Sequence, residues 1–91
     1  MPDNTHWHFY MVRCPDDSLY CGIALDPQAR VKARNAARGA DYTARRRPVA
    51  LAYSEAHPTE SAAGSREMEV KRWRAEKKED LVRGFPSSAS G

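Results

Sequence analysis

The sequence lacks any long apolar run and any apolar leader. Its 91 residues contain no hydrophobic stretch near the roughly 20 residues that a membrane-spanning helix needs. The N-terminal segment MPDNTHWH has neither the basic nor the apolar region of a secretory signal peptide. We therefore expect a protein of the cytoplasm that makes no contact with a membrane.

Cysteine is scarce as well. Cys14 and Cys21 fall on two strands predicted to pair as a hairpin, in a register where neither faces the other. A structural disulfide is therefore not expected, which suits a reducing compartment. The spacing of the cysteines and histidines fits no standard zinc pattern, so buried or half-buried thiols are the better interpretation.

Apolar residues are too few for more than one core. They make up 41% of the chain, and the mean hydropathy is −0.78, which describes a small core under a charged surface. We expect a single domain over residues 1–80. The polar residues 81–91 are expected to form a flexible tail.

Positive charge is concentrated in the middle of the chain. The formal net charge is only +3, but residues 28–48 carry seven basic side chains and one acidic one. Residues 1–27 carry one basic and four acidic side chains, and residues 49–91 carry seven of each. A basic block of this density is typical of a protein that meets phosphates, although it also serves solubility.

A hairpin is predicted near the N-terminus. The strands run over residues 7–14 and 19–25, and Pro15 and the residues after it have strong turn chemistry. A three-residue loop with Asp17 in the left-handed conformation would pair Tyr10 with Gly22. Tyr10 and Tyr20 would then share one face of the hairpin, whereas a one-residue slip would separate them.

The remaining pattern predicts helix, strand and helix. Asp26 and Pro27 are a helix-start signal, and the helix runs to about residue 37 with Ala29 and Ala33 facing the sheet. A strand over 48–55 and a long helix over 60–77, capped by Thr59, follow. The order ββαβα predicts a small α/β (α+β) fold, with a three-stranded, mainly antiparallel sheet flanked by helices.

Four short segments, taken in order, resemble a known family. The motifs HFY, at residues 8–10, and YCG, at residues 20–22, precede Arg30 on a helix, and the segments GADYTARRRPVALAYSE and SREMEVKRW follow. Together they resemble the GIY-YIG endonuclease family, in its small bacterial single-domain branch. The resemblance covers roughly residues 7–74 and agrees with the predicted fold.

The resemblance implies a set of catalytic residues. Tyr10 and Tyr20 would orient or deprotonate the attacking water and bond the scissile phosphate, in roles that stay open between them. Arg30 would hold the phosphate through its fork of donors. Glu67 would be the single metal-binding carboxylate, for Mg²⁺ or Mn²⁺. The ordinary alternatives are strand tyrosines, a solvated arginine and a surface glutamate paired with Lys71.

Further residues are candidates for DNA contact. They are basic or lie in the basic segment: Arg34, Tyr42, Thr43, Arg45, Arg46, Arg47 and Lys71. Arg34 departs from the family, because many relatives carry a histidine or tyrosine there that assists the base. Arginine binds phosphate but does not readily take up a proton.

The residues support three functions. The first is a divalent-metal-dependent endonuclease acting on DNA, including branched or damaged DNA as in repair, with a protein partner supplying substrate recognition. The second is a nucleic-acid-binding module that keeps the fold without catalysis, which Arg34 favours. The third, a domain that binds an acidic protein partner, rests on charge alone.

Overall fold

The computed structural model describes residues 6–36 and 49–84. Within them the chain forms β1 (Trp7–Arg13), β2 (Leu19–Ala24), α1 (Pro27–Ala36), β3 (Ala50–His57), α2 (Glu60–Lys71) and α3 (Ala75–Arg83). The strands make one antiparallel sheet in the order β2-β1-β3. The predicted α+β fold is therefore confirmed. In these two ranges no helix has both the length and the apolar character needed to cross a membrane.

The turn between β1 and β2 has the predicted geometry. Asp17 has a φ of 74°, and the amide of Cys14 donates to the carbonyl of Ser18 at 2.9 Å. The side chain of Asp16 accepts from the amide of Ser18 at 3.1 Å. This short-range hydrogen bonding stabilises a loop that needs one left-handed residue.

The register that follows from this turn is also the predicted one. Tyr10 pairs with Gly22, and Val12 pairs with Tyr20. Alternate side chains of a strand point to opposite faces of a sheet. Tyr10 and Tyr20 therefore lie on the same face as diagonal neighbours.

Helices cover both faces of the sheet. Val31 of α1 packs against one face and Val70 of α2 against the other, which we call the α1 face and the α2 face. The four central residues of β1 are all buried, alternately on the two faces. They are Phe9 and Met11 on the α2 face and Tyr10 and Val12 on the α1 face.

The buried side of α1 differs from the prediction. Ala29 and Ala33 are exposed, whereas Pro27 and Val31 are buried. The prediction of an alanine face was wrong because the space above the sheet is filled by larger side chains, which bury more apolar surface.

The prediction of one long helix over residues 60–77 was also wrong. The chain breaks between α2 and α3, where Arg74 takes an extended backbone with φ −67° and ψ 157°. The break places Leu81 and Val82 against the apolar cluster of the α2 face. The expected start of the tail at residue 81 falls inside α3, which ends at Arg83.

A hydrogen-bonded carboxylate joins β3 to α2. Glu55 accepts from the Tyr53 hydroxyl and from Arg66 Nε at 2.9 Å, and its other contact is His57 Nε2 at 2.6 Å. Burial raises the pKa of Glu55, but these hydrogen bonds outweigh it and hold the pKa below its ordinary value. Burial and the bond to Glu55 raise the pKa of Tyr53 to about 12. We call this group, which comprises Tyr53, Glu55, His57 and Arg66, the Glu55 network.

We expect Glu55→Gln to lower the free energy of unfolding by about 1 to 3 kcal/mol near neutral pH, because its partners keep only a weaker acceptor. The folded-state pKa of Glu55 lies below the ordinary value of 4.5. Its contribution is therefore present above that value and is lost as the pH falls through the folded-state pKa. Urea unfolding of both proteins at a series of pH values from neutral to acid measures the difference.

Glu76→Gln is the matched control, since Glu76 is an exposed carboxylate in the first turn of α3. It should change stability by less than about 1 kcal/mol, the usual range for a charge near a helix end. An equal loss of unfolding free energy in the two variants, or a difference between them that does not depend on pH, would contradict the role of the Glu55 network.

Candidate functional site

Tyr10 lies across the edge strand β2. Its side chain is 1% exposed, and its cross-strand partner is Gly22. A Cβ placed on Gly22 would lie 2.7 Å from the Tyr10 hydroxyl oxygen and 2.8 Å from Cζ. The ring therefore occupies the space that the glycine leaves, and its hydroxyl group reaches β2.

Tyr20 and Arg34 are in direct contact beside this ring. Tyr20 is 39% exposed, and the guanidinium carbon of Arg34 lies 5.2 Å from the centroid of its ring. Such a cation–π contact contributes roughly 0.5 to 2 kcal/mol. This stacking positions a positive charge next to the accessible phenol. Arg34 Nε is buried and has no hydrogen-bond partner among the described residues.

Arg30 lies one helical turn before Arg34. The start of α1 is set by Asp26, whose side chain accepts from the amide of Ala29 at 3.1 Å, as predicted for a cap. Residues four apart share one side of a helix. The exposed Arg30 therefore extends the positive charge of Arg34 along the same side of α1.

Glu67 lies on the other side of the sheet. It belongs to α2 between the buried residues Ala63 and Val70, and its side chain is 22% exposed. One carboxylate oxygen lies 3.5 Å from Lys71 Nζ, so the ion pair that is the ordinary alternative for Glu67 is present. The half-buried carboxylate still reaches the surface beside that pair.

Cys21 shows how the strand that carries Tyr20 lies relative to α2. Burial raises the pKa of the Cys21 thiol. The positive charges of Lys78 and Lys71 lower that pKa, and the negative charge of Glu67 raises it. Cys21 follows Tyr20 in the chain, and their side chains point to opposite faces of β2. Cys21 packs in the same apolar cluster as Val70 of α2, so α2, which carries Glu67, lies on the face of the sheet opposite Tyr20. We call the group on the two sides of this strand the β2-edge cluster: Tyr10, Tyr20, Arg30, Arg34 and Glu67.

Lys78 is a neighbour of the cluster that the sequence did not suggest. It is half-buried on α3, and its charge is the first of those that act on Cys21. It shares a helix side with Leu81 and Val82, which pack on the α2 face. The i, i+3, i+4 spacing of Lys78, Leu81 and Val82 is visible in the sequence. It would have indicated Lys78 only if the start of a separate helix at Ala75 had been predicted.

The residues around Glu67 fit a hydrated divalent cation. Among the described residues no group of three or more His, Cys, Asp or Glu side chains is close enough to hold a metal ion. Mg²⁺ is commonly bound by one or two carboxylates together with water and substrate phosphate oxygens. A single half-buried carboxylate at an open edge suits that mode, in which Lys71 competes with the ion for the same oxygen.

Five candidates for DNA contact lie outside the described residues: Tyr42, Thr43, Arg45, Arg46 and Arg47. The other two lie on opposite faces of the sheet. Arg34 is held against Tyr20 on the α1 face, and Lys71 is exposed on α2.

We expect Gly22→Ala to lower the free energy of unfolding by about 1 to 3 kcal/mol, as overpacking usually does. The added Cβ cannot stay 2.7 Å from the Tyr10 hydroxyl, so the ring or the strand must move. Gly64→Ala is the matched control, because no atom of residues 6–36 or 49–84 lies within 4 Å of its added Cβ. Inside α2 it should raise stability by about 0.5 to 1 kcal/mol. Urea unfolding measures both, and effects of the same sign would contradict the packing of Tyr10.

Known proteins are similar to this chain over most of its length. Residues 6–80 match the family model described as the GIY-YIG catalytic domain. A UPF0213 protein of Haloquadratum walsbyi is 46% identical over 79 residues, which cover 87% of this chain and 89% of that protein. A UPF0213 protein of Staphylococcus aureus strain N315 is 48% identical over 77 residues, with coverage of 84% and 94%.

Two solved structures have the same fold. The solution NMR structure of a UPF0213 protein from Bacillus halodurans is 36% identical, with a TM-score of 0.55 and coverage of 86% of this chain and 83% of that one. The solution NMR structure of a protein from E. faecalis is 33% identical, with a TM-score of 0.63 and coverage of 91% and 88%. The resemblance carried by the two tyrosine motifs is thereby confirmed, and the chain belongs to the GIY-YIG family of nuclease domains.

Proposed function

We propose that this protein is a divalent-metal-dependent endonuclease that hydrolyses phosphodiester bonds of DNA. One observation carries the proposal. Two tyrosines share a face of the sheet beside Arg34, and Glu67 belongs to α2, which packs on the other face. Membership of a nuclease family supports the reaction class.

The chemistry of the cluster matches the demands of phosphodiester hydrolysis. Tyr20 is the accessible phenol, so it is the group proposed to orient the attacking water and accept its proton. Tyr10 is proposed to bond a phosphate oxygen, which requires its buried hydroxyl group to become accessible when the substrate binds. Arg30 is proposed to bind the phosphate and to stabilise the charge that develops on it. A Mg²⁺ or Mn²⁺ ion bound by Glu67 would supply Lewis-acid chemistry.

The proposed substrate is DNA held through its backbone. Arg30 and Arg34 lie on α1 and Lys71 lies on α2. The basic segment with Tyr42, Thr43, Arg45, Arg46 and Arg47 would extend the contact. Branched or damaged DNA, as met in repair, suits a small domain with an open site. A protein partner would add recognition. The free thiols of Cys14 and Cys21 support a cytoplasmic location.

A non-catalytic nucleic-acid-binding module is the second candidate. Its support is Arg34, which stacks on Tyr20 where many relatives carry a group that can assist a base. Both candidates predict DNA binding, and only the first predicts hydrolysis.

We expect the wild-type protein to nick supercoiled or branched DNA with Mg²⁺ or Mn²⁺, and Glu67→Gln to reduce the rate at least about 100-fold. That factor corresponds to about 2.7 kcal/mol of transition-state stabilisation. An amide in place of the carboxylate leaves no charge to hold the ion. DNA affinity, measured by fluorescence anisotropy without metal, should change less than about threefold.

Glu69→Gln is the matched control, since Glu69 lies on the same helix and has an exposed side chain. It should retain cleavage within a few-fold of wild type. Full cleavage by Glu67→Gln would show that the metal ion is bound by other residues. Absence of wild-type cleavage together with DNA binding would favour the non-catalytic module.

We expect Arg34→His to shift the pH–rate profile. A phenol does not readily lose its proton near neutral pH, so the wild-type rate should still rise above about pH 8. A histidine at position 34 would lie beside Tyr20 and can relay its proton. The pH–rate profile of the variant should therefore move to lower pH. Lys32→His, on an exposed position of the same helix, should leave the profile in place. A wild-type rate already maximal near neutral pH would contradict this role of Arg34.

A further inference from the structure

A second basic region lies where α2 meets α3. The segment KRWRAEKK, at residues 71–78, carries five basic side chains and one acidic one. It comprises the end of α2, the break and the first turn of α3. Arg72, Arg74 and Lys77 are all exposed. We call these three side chains, together with Trp73, the α2–α3 corner.

Trp73 attaches the corner to the core. Its side chain packs against the apolar cluster of the α2 face. Lys77 Nζ lies 4.2 Å from the centroid of its ring, and the guanidinium carbon of Arg66 lies 5.2 Å from it. The cation–π contact restrains the ammonium group of Lys77, which has three N–H donors. The corner therefore presents a positioned cation at an exposed surface.

The acidic side chains near the corner have other partners. Glu79 Oε1 accepts from Arg13 Nη2 at 2.7 Å, and Asp80 accepts from Arg83 at 2.9 Å. Within residues 6–36 and 49–84 no carboxylate forms an ion pair with any of the three cations of the corner. Glu76 is the acidic side chain of the segment itself. The corner therefore carries an excess of positive charge that attracts an anionic partner.

The residue types and the position of the corner favour a nucleic acid as that partner. Arginine has a planar fork of donors that fits two oxygens of one phosphate, and phosphates are the groups that proteins contact to hold DNA in register. Arg72 directly follows Lys71, whose Nζ lies 3.5 Å from the Glu67 carboxylate. The corner therefore begins next to the residue proposed to bind the metal ion, which favours the substrate of that site over an acidic polypeptide.

We propose that the α2–α3 corner binds the sugar–phosphate backbone of the DNA substrate, with Arg72 and Arg74 each contacting a phosphate. This inference rests on the proposed function, because it assigns a further contact surface to the DNA of that nuclease. The arginines of α1 lie on the other face of the sheet. The substrate would then be held from both sides of the domain.

The salt dependence of DNA binding tests the proposal without cleavage. Fluorescence anisotropy of a labelled DNA duplex, without metal and at salt concentrations from about 50 to 200 mM, gives the slope of log affinity against log salt. We expect Arg72→Gln and Arg74→Gln each to reduce the magnitude of that slope by about 0.9, the value for one phosphate contact. Arg74→Lys keeps the charge and should keep the slope of the wild type.

Lys32→Gln is the matched control, because it removes one exposed positive charge from α1. Lys32 is two residues from Arg30 and from Arg34, about 200° around the helix, so its loss should leave the slope unchanged. Equal slopes for the wild type and the two arginine variants, or an equal reduction in Lys32→Gln, would overturn the proposal. Absence of duplex binding by the wild type would also overturn it.

Poly-L-glutamate, titrated in the same way, distinguishes an acidic polypeptide from DNA. Its affinity should depend less on Arg72 and Arg74 than that of the duplex. An equal loss for both polymers would assign the corner to an acidic protein partner and overturn the proposal. Failure of the nuclease proposal is distinguishable, because metal-dependent cleavage would be absent while the differences in salt slope remained.

Discussion

Tyr10 can lie across β2 only because the residue opposite it has no side chain. The space above Gly22 is filled by the phenol ring, and the hydroxyl group would meet an added Cβ at 2.7 Å. This contact requires one register of the hairpin, which the left-handed Asp17 provides. A slip of one residue would place Tyr10 on the α2 face and separate it from α1. The turn, the register and the site are thus one constraint.

A second constraint explains why the β2-edge cluster has residues on both faces of the sheet. The central strand β1 is covered by helices on each side, so its four central side chains are buried. At β2, consecutive residues face opposite helices: Tyr20 meets Arg34 of α1, and Cys21 packs in the same apolar cluster as Val70 of α2. The proposed phenol and guanidinium therefore lie on one face of the sheet, and the proposed carboxylate lies on the helix that covers the other face.

Local chemistry made some of this predictable from sequence. The turn at Asp17 and the caps at Asp26 and Thr59 depend on residues a few positions away, and all three have the predicted geometry. The pairing of Tyr10 with Gly22 followed from the turn. Glu67 was proposed from a motif, and its position relative to Tyr20 depends on packing.

Long-range packing decided the features that sequence reasoning missed. Residues 72–74 contain neither proline nor glycine, so nothing local indicated the break that places Leu81 and Val82 on the α2 face. The alanine spacing of α1 suggested a packed face, yet Val31 supplies it.

The central claim is that the nuclease site straddles the edge of β2, with its metal held by Glu67. Paramagnetic broadening by Mn²⁺ tests it most directly, because the effect decreases steeply with distance from the ion. In a titration of ¹⁵N-labelled protein the account predicts the strongest broadening at the amides of Tyr20, Cys21 and Glu67, and its loss in Glu67→Gln. Broadening centred on Glu55 and His57 at the β3 edge, or on the acidic residues of α3, would contradict it.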